Sequence, residues 1–395
     1  MARMNGQRAG AVEQKAARWP LGPFAAFGVF GLFWGCWGAL LPSLQVQARV
    51  SDTQLGIALL AVAGAALPAM LSSGWIIDRL GGRALTPATA VFAVAAVLPG
   101  LAHSPVSLAA AGAVVGAASG TMDVTMNAAV ASVEERTGRR LMHGAHAMFS
   151  LGVVVAGASV GVARSAGADP LPVLVVVASV MGAVALAIAR RAPGRPESAL
   201  ARSAPHGRRL MLSRPLLVLG GLCALAYLVE GVMQSWSAIH LEDTLGAGPA
   251  IGGLGPALFA AAAAAGRLGT QRFAARTTDR VLLVCAALVG AVGTVVVAAA
   301  PSAPVALMGV VLAGAGISVA APTIFSVTGR LVGRHERGRA LASVTTVAYV
   351  GFLLGPPMAG AIAGAANLRW GLASTAAVAL VLAVLARFAP RVSSG

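Results

Sequence analysis

Roughly a dozen long apolar runs follow one another along this chain, and the arginines fall almost entirely in every second gap between them. Arg79 and Arg83 follow the second run, and Arg136, Arg139 and Arg140 the fourth. Seven arginines, from Arg190 to Arg214, follow the sixth. Arg267, Arg272, Arg276 and Arg280 follow the eighth, and Arg330, Arg334, Arg337 and Arg339 the tenth. The intervening gaps carry only Arg49, Arg164 and Arg369. Basic loops are retained on the cytoplasmic side when helices enter a membrane. The alternation therefore implies an all-α polytopic membrane protein with both termini cytoplasmic.

The composition excludes an ordinary soluble domain. Only 11% of residues are charged and 57% are hydrophobic, whereas soluble domains carry about 25% charged residues. The net charge of +16 could suggest nucleic acid. With Arg3, Arg8, Lys15, Arg18, Arg387 and Arg391 included, 26 of the 29 basic residues belong to cytoplasmic loops and tails. Anionic inner-leaflet lipid is the simpler partner, and no nucleic acid is expected. Cys36, Cys223 and Cys285 all sit in apolar runs and read as buried small hydrophobes, without disulfide or metal spacing. The first run is too long for a signal-peptide core of about 7–15 residues and is expected to remain as a span.

A spanning helix needs about 20 mostly apolar residues. The expected spans are 21–41, 55–77, 84–102, 106–130, 145–163, 170–190, 215–238, 249–270, 281–300, 304–328, 340–363 and 368–388. The organisation is a cytoplasmic tail over 1–20, a six-helix bundle over 21–190, a Pro- and Gly-containing basic loop over 191–214, a second bundle over 215–390 and a tail over 391–395. Twelve spans in two pseudo-symmetric halves about a basic central loop is a transporter architecture. The halves share faint repeats. Gly74 to Arg83 ends the second span much as Gly266 to Arg272 ends the eighth, and Phe149-Ser150-Leu151-Gly152 has a counterpart in Gly351 to Pro357.

The segment Gly74-x-x-x-Asp78-Arg79-x-Gly81-Gly82-Arg83 resembles, almost position by position, the loop 2–3 motif of the major facilitator superfamily. Further stretches resemble its YbjJ-like branch of bacterial permeases, distantly related to fucose permeases. These are Asp123-Val-Thr-Met-Asn127, His146-x-x-Phe149-Ser150-Leu151-Gly152, Glu230-Gly231 followed by Trp236-Ser237-Ala238, and Gly351 to Pro356. The chain departs from the family at Gln271-Arg272, where Asp-Arg is common, at Ser235 before Trp236, where Asp is common, and at Leu40 near Pro42, where Arg is common. The resemblance implies the facilitator fold, with spans one, four, seven and ten lining a central cavity. It also implies a permease of a bacterial cytoplasmic membrane.

Asp78 and Arg79, with Gly74, Gly81, Gly82 and Arg83, and Gln271 and Arg272 in the second half, read as a cytoplasmic latch. A carboxylate there can pair with arginine or cap a helix, and the glycines permit a tight turn. A solvated loop that only sets topology would carry similar residues.

Asp123 and Glu230 are the acidic residues deep within apolar runs. A charge at that depth costs about 2.5–3.5 kcal/mol on insertion scales, so it faces a cavity or a partner. Ser119, Asp123 and Asn127 share one helix face, as do Tyr227, Glu230 and Gln234. Both faces suit proton binding or substrate contact, and both also suit structural hydrogen bonding between helices. Asp123 could instead hold the loop network with Arg136 or Arg139. Trp34, Trp37, Trp236 and Tyr349 are candidates for stacking on a ligand, or ordinary packing residues.

Glycine seams at Gly28, Gly31, Gly35 and Gly38 and at Gly112, Gly116 and Gly120 predict close helix contacts, and Pro322 and Pro356-Pro357 predict bends. Gly157-x-Ser159-x-Gly161 fits a nucleophile-elbow pattern but lies within a span. His143 and His146 are too few for a metal site. No Walker A motif is present, and no cofactor is expected. The expected activity is movement of a small solute by alternating access in a monomer, coupled to protons. The alternatives are a proton-driven efflux antiporter, a polytopic membrane enzyme and a non-transporting receptor.

Overall fold

The computed structural model describes residues 21–139, 141–191, 213–273, 277–333 and 336–390. The tails and the central loop expected over 191–214 lie almost wholly outside these residues. Every expected span is a helix. The first six are α1 (Leu21–Ala48), α2 (Asp52–Leu80), α3 (Leu85–Ala95), α4 (Pro105–Thr137), α5 (Met142–Ser165) and α6 (Pro170–Arg191). The second six are α7 (Arg214–Ile239), α8 (Leu254–Phe273), α9 (Asp279–Ala299), α10 (Ala303–Ile317, continuing as Ala320–Leu331), α11 (Arg337–Ala365) and α12 (Leu368–Ala386). Eleven of these stretches are long and apolar enough to cross a membrane. The third is shorter, with α3 extended by a 3-10 turn over Leu98–Leu101. Most helices overrun the sequence estimate, because polar residues such as Gln47 and Glu134 continue the helix beyond the apolar stretch that marks it.

The two sets of six pack alike. The pairs α2·α4, α1·α5 and α3·α6 of the first set recur as α8·α10, α7·α11 and α9·α12 of the second. Glycine accounts for the closeness of the tightest pairs. A β-carbon on Gly31 or Gly35 of α1 would overlap the backbone of Phe149 or Val153 on α5. Gly351 and Gly355 of α11 stand in the same relation to Ala224 and Leu228 of α7. Gly112, Gly116 and Gly120 of α4 rest on Ala58, Val62 and Ala66 of α2. In lipid, packing of this kind replaces the hydrophobic drive between helices.

Between the two sets the main contacts are α2·α11 and α5·α8. The elbow-like Gly157-x-Ser159-x-Gly161 is part of the second. A β-carbon on Gly157 would lie 3.0 Å from the Gly253 carbonyl, and one on Gly161 2.8 Å from that of Pro249. Ser159 Oγ donates to the Val155 carbonyl of its own helix at 2.6 Å. The closest backbone approaches between the sets lie toward the arginine-poor face. There Gly38 meets the Gln234 carbonyl, and Gly360 meets Asp52.

Two expectations are corrected. Cys36 and Cys223 are buried, but Cys285 is exposed on the outward side of α9. A membrane helix can present cysteine outward because lipid is as apolar as a core. Arg164 falls just outside its expected span and Arg267 near the end of its own, and both lie within helices, α5 and α8. Each has an acidic partner that removes the need to reach water.

Candidate functional site

Four helices, α4, α7, α8 and α11, carry the buried acids together with their polar and aromatic neighbours. On α4, Asn127 Nδ2 donates to both the Asp123 carbonyl at 2.9 Å and its Oδ1 at 3.1 Å. This i,i+4 contact fixes the carboxylate against its own helix. The other oxygen, Oδ2, accepts from the Tyr349 hydroxyl of α11 at 3.3 Å. That bond joins the two sets of helices across 226 residues of sequence. Asp123 therefore faces Tyr349, and no ion pair joins it to Arg136 or Arg139 among the described residues.

Tyr349 leads onward through rings. Its centroid is 6.2 Å from that of Tyr227 and 6.1 Å from that of Phe352, and Tyr227 and Phe352 lie 4.5 Å apart. Three residues along α7 from Tyr227 is Glu230. Gln234 Nε2 donates to Glu230 Oε1 at 3.0 Å, and Arg267 Nη2 of α8 lies 3.7 Å from the same oxygen. The Glu230 side chain is only 12% exposed, so its charge depends on these partners.

Arg267 is held by a feature of α10. Proline at 322 has no N–H to give the carbonyl four residues earlier, which is that of Ser318. The helix breaks at Ser318 and Val319, and the freed Ser318 carbonyl accepts Arg267 Nε at 3.2 Å. Ser318 Oγ donates back to the Ala263 carbonyl of α8 at 3.2 Å. The predicted proline bend thus becomes a socket for the arginine that faces Glu230. Pro356 and Pro357 instead lie within an unbroken α11.

Trp34 and Trp37 belong to a separate aromatic group. Their centroids are 6.3 Å apart, and Trp34 and Trp37 pack on Phe33 at 5.3 and 6.0 Å, while Phe33 packs on Phe92 of α3 at 4.7 Å. Trp37 is buried and Trp34 partly so. Trp236 is fully buried, and its indole N–H donates to the Pro356 carbonyl at 3.1 Å, a packing role. His146 packs edge-on against Phe27 at 5.0 Å.

The motif loop forms the turn its glycines require. Gly81 caps α2 with φ of 56°, in the region that favours glycine, and its N–H reaches the Ile77 carbonyl. Gly82 and Arg83 complete a 3-10 turn. Arg79 lies over the Trp75 ring at 4.8 Å, and Asp78 is beside it at the helix end. Gln271 and Arg272 occupy the last turn of α8, with side chains outside the described residues.

One charged pair is not anticipated by the sequence reading. Arg164 of α5 and Glu242, just beyond α7, form a bidentate pair at 2.6 and 2.8 Å near the arginine-poor face. A sequence signal exists. Arg164 is one of three basic residues on that side, and Glu242 lies on the same side of the membrane.

Two pseudo-symmetric sets of six helices, each with a buried carboxylate held by polar partners, have the architecture of a polytopic membrane transporter. The model of the Major Facilitator Superfamily matches residues 24–278 and 219–395. The chain belongs to that superfamily. It is 31% identical over 356 residues to an uncharacterised MFS-type transporter of Yersinia pestis, covering 89% of this chain and 91% of that one. It is also 28% identical over 360 residues to the membrane protein MosC of Rhizobium meliloti, covering 90% and 86%. Among solved structures it resembles the nucleoside transporter NupG, with a TM-score of 0.75 at 11% identity over 93% of this chain and 98% of that one. It also resembles a bacterial homologue of the human lysosomal transporter Spinster in an inward-facing, occupied conformation, with a TM-score of 0.72 at 15% identity over 94% and 96%. At these identities the structures establish the fold.

Proposed function

We propose that this chain is a secondary transporter that moves a small solute by alternating access and couples that movement to protons. The observation that carries the reading is the chain of groups from Asp123 through Tyr349 and Tyr227 to Glu230 and Arg267. Two carboxylates lie within spanning helices of opposite sets; one hydroxyl and a ring contact lead from Asp123 to Tyr227, which is one helical turn from Glu230 on α7. A proton gained or lost at Asp123 changes the bond between the sets, and one at Glu230 changes its pairing with Arg267 within the second set, so the two ends can link protonation to conformation. Asn127, Gln234 and the three rings offer hydrogen bonds and an aromatic face to a solute. The tryptophans of α1 are assigned to packing.

In this reading the arginine-rich face is cytoplasmic, both termini lie inside, and the membrane is the bacterial cytoplasmic membrane. The halves are 21–190 and 215–390, and a monomer is sufficient. Gly74, Asp78, Arg79, Gly81, Gly82 and Arg83 act with Gln271 and Arg272 as the cytoplasmic latch. The close approaches toward the opposite face support a conformation open to the cytoplasm.

The test is a ligand-induced thermal-shift screen on purified protein, followed by uptake into proteoliposomes under an imposed proton gradient. Glu230→Gln is expected to abolish uphill accumulation while leaving exchange partly intact. If this variant accumulates solute with wild-type pH dependence, Glu230 is structural.

A further inference from the structure

We propose that Arg164 and Glu242 form the outer gate of this transporter, a clasp that must open for the site to face outward. The proposal rests on the alternating-access reading above.

The clasp ties three helices at one point. Arg164 lies in the last turn of α5, and its side chain is 5% exposed. Nη1 and Nη2 donate to the two oxygens of Glu242, which sits in the π-helical turn His240–Thr244 after α7. Nε donates to Ser43 Oγ of α1 at 2.7 Å, and Nη1 also donates to the Ala39 carbonyl at 2.8 Å. A planar guanidinium suits such a fork because its donors are rigidly disposed. Both partners of Arg164 from the first set lie on α1, and the carboxylate comes from the second set.

Two further features place the pair where the two sets meet toward the arginine-poor face. It forms part of the wall of a cleft of about 760 Å³ that is lined mainly by the first set, including Gln47, His103 and Asp169, with Glu242 and Asp243 closing it from the second. The surrounding backbone is also cut away for the carboxylate. A β-carbon on Gly252, which precedes α8, would overlap Glu242 Oε1. Gly157, Gly161 and Gly253 meet in the same region, so the sets of helices can close without side chains between them.

The physics gives the clasp a distinctive signature. A buried ion pair can be worth little against a neutral pair of similar shape, because desolvation opposes the attraction. Removing one partner is different, since it leaves the other charge buried and uncompensated in the closed state. When the outer face opens, both groups reach water. Single neutralisation should therefore favour the open state strongly, and double neutralisation much less.

The experiment reads the separation of the halves without a substrate. Spin labels are placed on cysteines at Val46 and Gly248, on the two sets of helices toward this face, with Cys285→Ser, and the protein is studied in lipid nanodiscs by pulsed EPR. Arg164→Met and Glu242→Gln should each raise the ratio of long to short separations on the order of a hundredfold. The double variant should fall back toward wild type. Gly252→Ala, which keeps every charge but crowds the carboxylate, should shift the ratio in the same direction and guards against misfolding of the charge variants. If the wild-type protein shows one separation under all solutes and pH values, the alternating-access reading fails. If it shows two separations, the gate is overturned by unchanged ratios in the single variants and Gly252→Ala. It is equally overturned by single variants that shift no more than the double.

Discussion

Tyr349→Phe isolates one atom at the centre of the proposed site. The ring contacts with Tyr227 and Phe352 remain, and only the hydroxyl that reaches Asp123 across the two sets of helices is lost. Hydrogen bonds to charged groups contribute about 1.5–3 kcal/mol and neutral ones about 0.5–1.5 kcal/mol. The 3.3 Å separation is long for an O–H donor, so the contribution falls between, at about 1–2 kcal/mol. The Asp123 carboxylate keeps the bond from Asn127 to Oδ1, which spares it the full penalty of an unpaired buried group. At about 1.4 kcal/mol per tenfold, the conformation with Asp123 bridged to α11 should lose about five- to thirtyfold in population. Carbodiimide labelling of Asp123, followed by peptide mass spectrometry, reads this without a substrate. The labelling rate should rise by that factor while the melting temperature hardly moves. An unchanged rate in a folded Tyr349→Phe protein would refute the bridging role. A matching rise in Phe352→Leu would assign the effect to packing.

Asp78→Asn should weaken the cytoplasmic latch, and cysteines placed in the cytoplasmic half of the cavity should label faster; lost binding with unchanged labelling would count against the latch. Pro322→Ala restores an N–H for the Ser318 carbonyl that now accepts Arg267. It should leave thermal stability the same or higher while slowing proton-coupled uptake, and wild-type uptake would show that the socket does not matter. Gly116→Leu forces a side chain into the Val62 backbone and should destabilise the protein by about 1–3 kcal/mol, read as a lower melting temperature in detergent. A wild-type melting temperature would mean that α2 and α4 can move apart without cost.

The number and order of the helices were legible because they depend on local apolar length, which the bilayer demands of every span. The superfamily was legible through the turn at Asp78 to Arg83, where a positive-φ glycine and short spacing leave a local imprint. Asp123 and Glu230 were legible as candidates because charge within an apolar run is costly wherever it occurs. Their partners were another matter. Tyr349 is one aromatic among several in the sequence, with Trp34 and Trp37 equal to it, until packing places the first against Asp123 and the others against Phe33. Arg267 falls at the cytoplasmic end of an expected span, where arginine usually reaches water, yet the carbonyl freed by Pro322 holds it beside Glu230. Arg164 carries no local mark beyond the rarity of arginine on that side, and Glu242 none at all, since an ion pair 78 residues apart exists only once α5 and α7 are packed. Hydrophobic length and charge cost act residue by residue, and the sequence alone determined what they control. Which donor meets which acceptor depends on the approach of helices distant along the chain, and only the tertiary structure decided it.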